Sequence, residues 1–195
     1  MILSRYGEIQ VGQSELVLIT GGARSGKSSL AEKLASQVAS SEEKVLYIAT
    51  AQVYDQEMSQ RVALHQQRRP EGWITVEEPT ELEDALYRWN QADQVILIDC
   101  LTLWLTNLLL PIYDERSWSA EKEREILERG ERLALQARES KATILVVGNE
   151  VGLGIVPIDP LSRLFRDLSG LLQQAFARQA HRVYFTVSGY PLQVK

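Results

Sequence analysis

The octapeptide Gly21-Gly22-Ala23-Arg24-Ser25-Gly26-Lys27-Ser28 satisfies G-x-x-x-x-G-K-[ST], and it constrains the fold more than any other part of the chain. It follows an apolar run at residues 15–20 (ELVLIT) that reads as a buried strand. It opens residues 27–40, where Leu30, Leu34 and Val38 share one helix face. Strand, glycine-rich turn and helix in that order aim backbone N–H groups and the positive end of a helix at one anion. Lys27 then reaches the β- and γ-phosphates of a nucleoside triphosphate, and the Ser28 hydroxyl ligates Mg²⁺.

The rest of the chain alternates short β-branched runs with longer helical patterns, the sign of an α/β fold with a mostly parallel sheet. Strands are expected at 44–50, 74–78, 94–99 and 142–147. Residues 182–187 form another, which turns at Ser188-Gly189 into a last strand at 192–195. Strands joined that tightly are antiparallel. Helices are expected at 55–67, at 80–90 with a capping box of Thr80 and Glu83, at 101–110, at 118–140 and at 161–179. The stretch 101–110 is apolar nearly all round and needs cover from the core or from another subunit. Residues 118–140 carry only a thin apolar stripe, with Gly130 weakening the middle, and belong on the outside.

Charge and composition exclude several classes. With 195 residues and 45% apolar content, the chain has material for one domain with a full core, or at most two small ones, and the first strong strand begins at residue 15. The 21 basic residues against 26 acidic ones argue against a general affinity for nucleic acid or anionic membrane. Cys100 is the single cysteine, so no intrachain disulfide forms, and with no signal-peptide core at the start a cytoplasmic location is expected. The apolar stretch 95–113 holds Asp99, Thr102, Thr106, Asn107 and Pro111, which fits a strand and a buried helix better than a membrane span.

Other candidate residues are weaker when taken singly. Asp99 ends the apolar strand Val95-Ile96-Leu97-Ile98, where a Walker-B acid sits to hold magnesium, though it is also placed to cap the helix at Leu101. His65 shares a helix face with Met58 and Val62, and spacing alone shows it no catalytic partner. Arg68-Arg69-Pro70 reads either as a phosphate contact or as an ordinary solvated turn. Residues 149–157 (NEVGLGIVP) follow a strand and so lie at the carboxyl edge of the sheet, as a substrate loop or a plain connection.

Several motifs in order, TGGARSGKS (20–28), LYIATAQ (46–52), DQEMSQRVALHQQRRP (55–70), TNLL (106–109) and NEVGLGIVP (149–157), give a more specific signal. From about Leu16 onward the chain resembles the bifunctional adenosylcobinamide kinase / adenosylcobinamide-phosphate guanylyltransferase family of cobalamin biosynthesis. That resemblance implies a RecA-like P-loop NTPase fold, a homotrimer, a corrinoid substrate, and GTP, ATP and Mg²⁺ as cofactors. It assigns His65 as the residue that becomes guanylylated, and Lys27 as the catalytic partner in the loop. Nucleotide contacts are implied at Ala49, Thr50 and Ala51, at Gln66, Gln67, Arg68 and Arg69, and at the acids Glu77 and Asp99. Asp99 stands where some relatives carry glutamate, and Leu64 where some carry a second histidine. Two other functions compete, a P-loop kinase for a different small metabolite and a nucleotide-dependent regulatory module.

Overall fold

The computed structural model describes residues 9–52 and 69–195. Seven strands form one sheet: β1 (Leu16–Gly21), β2 (Val45–Ala49), β3 (Ile74–Glu77), β4 (Val95–Asp99), β5 (Thr143–Asn149), β6 (Arg182–Val187) and β7 (Tyr190–Gln193). Their order across the sheet is β3-β2-β4-β5-β1-β6-β7. Every neighbouring pair is parallel except β6 and β7. This is the expected RecA-like P-loop arrangement, with β5 lying between the strand that feeds the phosphate loop and the strand that ends in Asp99.

The inner strands are continuous apolar runs because both faces of the sheet are covered. Successive side chains point to opposite faces, so each strand splits its residues between two cores. Leu16, Leu18, Leu46, Ile48, Ile96, Ile98, Ile144 and Val146 meet four helices, α2 (Leu82–Trp89), α3 (Leu101–Leu109), α4 (Ala120–Arg138) and α5 (Pro160–Gln179). On the other face Val17, Ile19, Val45, Tyr47, Val95, Leu97, Leu145 and Val147 meet α1 (Lys27–Val38) through Leu30, Ala31, Leu34 and Ala35. The helix expected at 55–67 lies outside the described residues.

Two expectations are corrected. The final strand begins at Tyr190 rather than 192, because Ser188 (φ 51°) and Gly189 (φ 84°) make a two-residue turn that pairs Val187 directly with Tyr190. Thr80 and Glu83 form no capping box. The Glu78 carboxylate instead accepts from the backbone N–H groups of Thr80 (3.2 Å) and Glu81 (2.8 Å), while Arg129 of α4 engages Glu83 at 3.2 Å. A tertiary ion pair has displaced the local hydrogen bonding. Gly130 is buried where α4 faces α5, and a Cβ there would lie 2.3 Å from Leu172 Cδ1.

The apolar helix α3 is covered mostly by its own chain. Trp104, Leu105 and Leu109 are fully buried, Leu103 and Leu108 are half-buried, and Leu110 just beyond the helix is exposed. Among the described residues no helix is long and apolar enough to cross a membrane.

Candidate functional site

All five strand ends that carry candidate residues reach the same carboxyl edge of the sheet. Gly21 pairs in register with Asn149, Ala49 with both Glu77 and Asp99, and Asp99 with Val147. A ligand at this edge therefore meets residues that are up to 128 positions apart in sequence, from Gly21 to Asn149.

The phosphate loop runs from the end of β1 into α1. Gly26 stands at the N-cap with φ 101°, a conformation that favours glycine, and a Cβ there would come within 3.1 Å of Gly189 Cα. The helix has no side-chain cap and no acidic residue in its first turn, so its leading N–H groups are available to an anion. The β6–β7 turn braces the loop from behind: Gly189 N–H donates to Ser25 O (2.8 Å), and the Ser25 and Thr186 hydroxyls bond at 2.7 Å. The Ser25 side chain is thus committed to β6, and its N–H donates to Gly22 O within the loop (3.2 Å). Ala23 and Arg24 are exposed, and Arg24 has φ 56°.

Lys27 is 8% exposed, and its ammonium donates to Gly22 O (2.6 Å) and Asn149 Oδ1 (2.9 Å). Burial lowers its pKa, and the negative charge of nearby Asp99 works in the opposite direction. A partly desolvated cation interacts more strongly with a phosphate than one in bulk water does.

Asp99 ends β4 as expected, and it does not cap the following helix, whose N-cap is Cys100. Its Oδ2 accepts from the Tyr47 hydroxyl at 2.8 Å. Tyr47 is buried, and burial, then the adjacent Asp99 charge, raises its pKa so that the phenol stays protonated as the donor. The Arg69 guanidinium lies 3.4 Å from the centre of the Tyr47 ring, which brings a residue of the basic turn toward Asp99. Burial pushes the Cys100 thiol up to about 11, which keeps it neutral and a poor nucleophile.

Thr50 is fully buried, and its hydroxyl donates to Cys100 O (2.8 Å) and accepts from Cys100 N–H (2.7 Å). Asn107 Nδ2 donates to Thr50 O (2.8 Å) and Pro79 O (3.0 Å), tying the ends of β2 and β3 to α3. The Thr50 side chain is therefore structural, and so is its backbone: Thr50 N–H donates to Asp99 O (3.1 Å), its carbonyl accepts from Asn107, and Ala49 O accepts from Glu78 N–H (2.9 Å). Glu77 is exposed at the same edge. His65, Gln66, Gln67 and Arg68 lie outside the described residues. His181 sits at the opposite edge of the sheet, where its Nδ1 accepts from Leu16 N–H at 2.9 Å.

Ser28 and Asp99 offer a hydroxyl and a carboxylate, the hard oxygen donors that Mg²⁺ takes. Among the described residues no three His, Cys, Asp or Glu side chains converge as a metal cage.

The family described as cobinamide kinase / cobinamide phosphate guanyltransferase matches residues 17–194 of the chain. The chain belongs to this family. It is similar to the bifunctional adenosylcobalamin biosynthesis protein CobP of Pseudomonas aeruginosa, with 49% identity over 91% of this chain and 96% of that protein. The bifunctional adenosylcobalamin biosynthesis proteins CobU of Escherichia coli and Salmonella typhimurium are each 39% identical over 92% of this chain and 99% of theirs. Among solved structures, a helicase ATPase domain has a TM-score of 0.48 and 16% identity, covering 90% of this chain and 70% of that one. As a cobinamide kinase / guanyltransferase family member the chain is a nucleotide-using transferase of cobalamin biosynthesis.

The motif exposed the phosphate loop, Lys27 and Asp99. Sequence reasoning did not single out Tyr47 or Asn149. Tyr47 looked like one more apolar strand residue, and its position on β2, three strands away from the loop-bearing β1, carried no warning.

Proposed function

We propose that one domain, residues 15–195, carries out two successive transfers on a corrinoid. In the first, the hydroxyl of the aminopropanol arm of adenosylcobinamide attacks the γ-phosphorus of ATP or GTP, and the nucleoside diphosphate leaves. In the second, the His65 imidazole attacks the α-phosphorus of GTP, releasing pyrophosphate and forming a phosphoramidate. Adenosylcobinamide phosphate then takes the GMP, giving adenosylcobinamide-GDP and free His65. A neutral imidazole is nucleophilic near pH 7, and the covalent step divides a difficult displacement into two.

The single observation that carries this reading is the position of Lys27, held between the phosphate loop and the end of β5 at the edge where Asp99 also lies. Phosphoryl transfer depends chiefly on positioning and charge neutralisation, and Gly26, Lys27 and Asp99 supply the fixed parts of that environment. Ser28 and Asp99 would hold Mg²⁺, which would supply electrostatic stabilisation of the phosphates. The support for His65 and for the contacts at Gln66, Gln67 and Arg68 is the sequence resemblance. A cytoplasmic homotrimer is part of the same reading.

Incubation with adenosylcobinamide and GTP tests it. Formation of both a phosphorylated and a GDP-linked corrinoid is the expected result. A phosphorylated product alone would leave a simple corrinoid kinase, and hydrolysis without either product would leave a regulatory nucleotide switch.

A further inference from the structure

Asn149 is the one side chain outside the phosphate loop seen to touch the Lys27 ammonium among the described residues. A lysine ammonium only donates, so the atom 2.9 Å from it is the carboxamide oxygen, and the amide nitrogen must point the other way. That nitrogen carries two N–H groups and has no partner among the described residues. The backbone around it is held from two helices. Asn149 N–H donates to Thr102 Oγ1 of α3 (2.8 Å), and Asn149 O accepts from Gln173 Nε2 of α5 (3.1 Å). Gln173 is itself buried and receives the Thr20 hydroxyl from β1, so the mount of Asn149 is tied to the strand that feeds the phosphate loop.

A half-buried carboxamide on a fixed mount, with its oxygen engaged by the phosphate-loop lysine and its two donors unused, is built to meet an oxyanion that also contacts the lysine. In a triphosphate site that oxyanion belongs to the terminal phosphoryl group, because the loop lysine reaches the β- and γ-phosphates. We propose that Asn149 is a terminal-phosphate ligand: Oδ1 orients Lys27 and Nδ2 donates to a γ-phosphoryl oxygen, so the site distinguishes a nucleoside triphosphate from a diphosphate. This rests on the nucleotide-site reading given under Proposed function. The same contact serves both transfers, because it grips the phosphoryl group that moves in the first and the pyrophosphate that leaves in the second.

The test is equilibrium binding to the full-length chain of the β,γ-imido analogue of ATP and of ADP, with Mg²⁺ present. The adenine nucleotide avoids guanylyl transfer. Asn149→Asp keeps the acceptor for Lys27 but replaces the donor with a negative charge, and it should weaken the triphosphate analogue by about 10- to 100-fold, the scale of a hydrogen bond to a charged group. ADP affinity should change by less than about threefold, since that contact is not made. Asn149→Ala and Asn149→Ser should show the same selectivity with a smaller loss, and thermal melting of each variant reports whether it folds. Equal weakening of both nucleotides, or no weakening of the analogue, overturns the assignment. If the unaltered chain binds neither nucleotide, the nucleotide-site reading itself fails, and this inference with it.

Discussion

At the scale of single residues, the site depends on charges kept partly out of water and given fixed partners. Lys27→Ala removes the shared polyphosphate anchor, so both corrinoid phosphorylation and GMP transfer should fall by about 10²- to 10³-fold, the usual effect of deleting one preorganised electrostatic contact. Coupled assays of the two products check this, and full kinase activity in the variant would refute a shared site. His65→Ala should lose a label carried on the α-phosphate of GTP while corrinoid phosphorylation continues. In the unaltered chain that label should be acid-labile and alkali-stable, because protonating the phosphoramidate makes imidazole a good leaving group. A label that survives in the variant would place the nucleophile elsewhere. His181 belongs to stability instead. Burial lowers its pKa from 6.5, and its Nδ1 must stay unprotonated to accept from Leu16 N–H. A base with a depressed folded pKa gives stability that is complete above pH 6.5 and is lost as pH falls through the folded value. Melting temperature should therefore drop between pH 7 and pH 5.5, and His181→Gln should flatten that part of the profile. An identical slope in the variant would assign the acid sensitivity to other groups.

Secondary-structure elements were easiest to read where their signals were local. The β1–loop–α1 unit, the parallel run of strands and the antiparallel end all follow from contiguous patterns, with boundaries shifted by up to two residues at most ends. The capping box failed because Glu83 had a stronger partner 46 positions away in Arg129. Helix α3 shows the same limit in another form. Its apolar surface called for cover from the core or from another subunit, a choice the local pattern could not make, and Trp104, Leu105 and Leu109 are buried by the chain's own core. The same helix contributes a buried polar strap, Asn107, to the backbone of Thr50 and Pro79. Replacing it with leucine, close in size, leaves two carbonyls without that donor and should cost about 2 to 4 kcal/mol of unfolding free energy. Urea denaturation measures this, and a loss below about 0.5 kcal/mol would show that other groups satisfy those carbonyls.

At the scale of the whole molecule, the sheet order brings distant residues to one edge and leaves apolar side chains on the outside. Leu153, Ile155 and Ile158 in the loop after β5 are 82%, 97% and 95% exposed, and Leu110 and Ile112 beyond α3 are also exposed. Large aliphatic groups left in water favour association, and light scattering should report a trimer at micromolar concentration. A monomer would remove the assembly from the proposal. The sequence by itself determined the phosphate loop, the alternation of strands and helices, the family and the acid at the end of β4, because each is written in neighbouring residues or in a short period. Only the tertiary structure decided that Lys27 meets Asn149 across 122 positions and that Tyr47 holds Asp99 across 52. Those contacts arise from which strand lies beside which, and the packing of whole helices and strands sets that order, which no local pattern of side chains specifies.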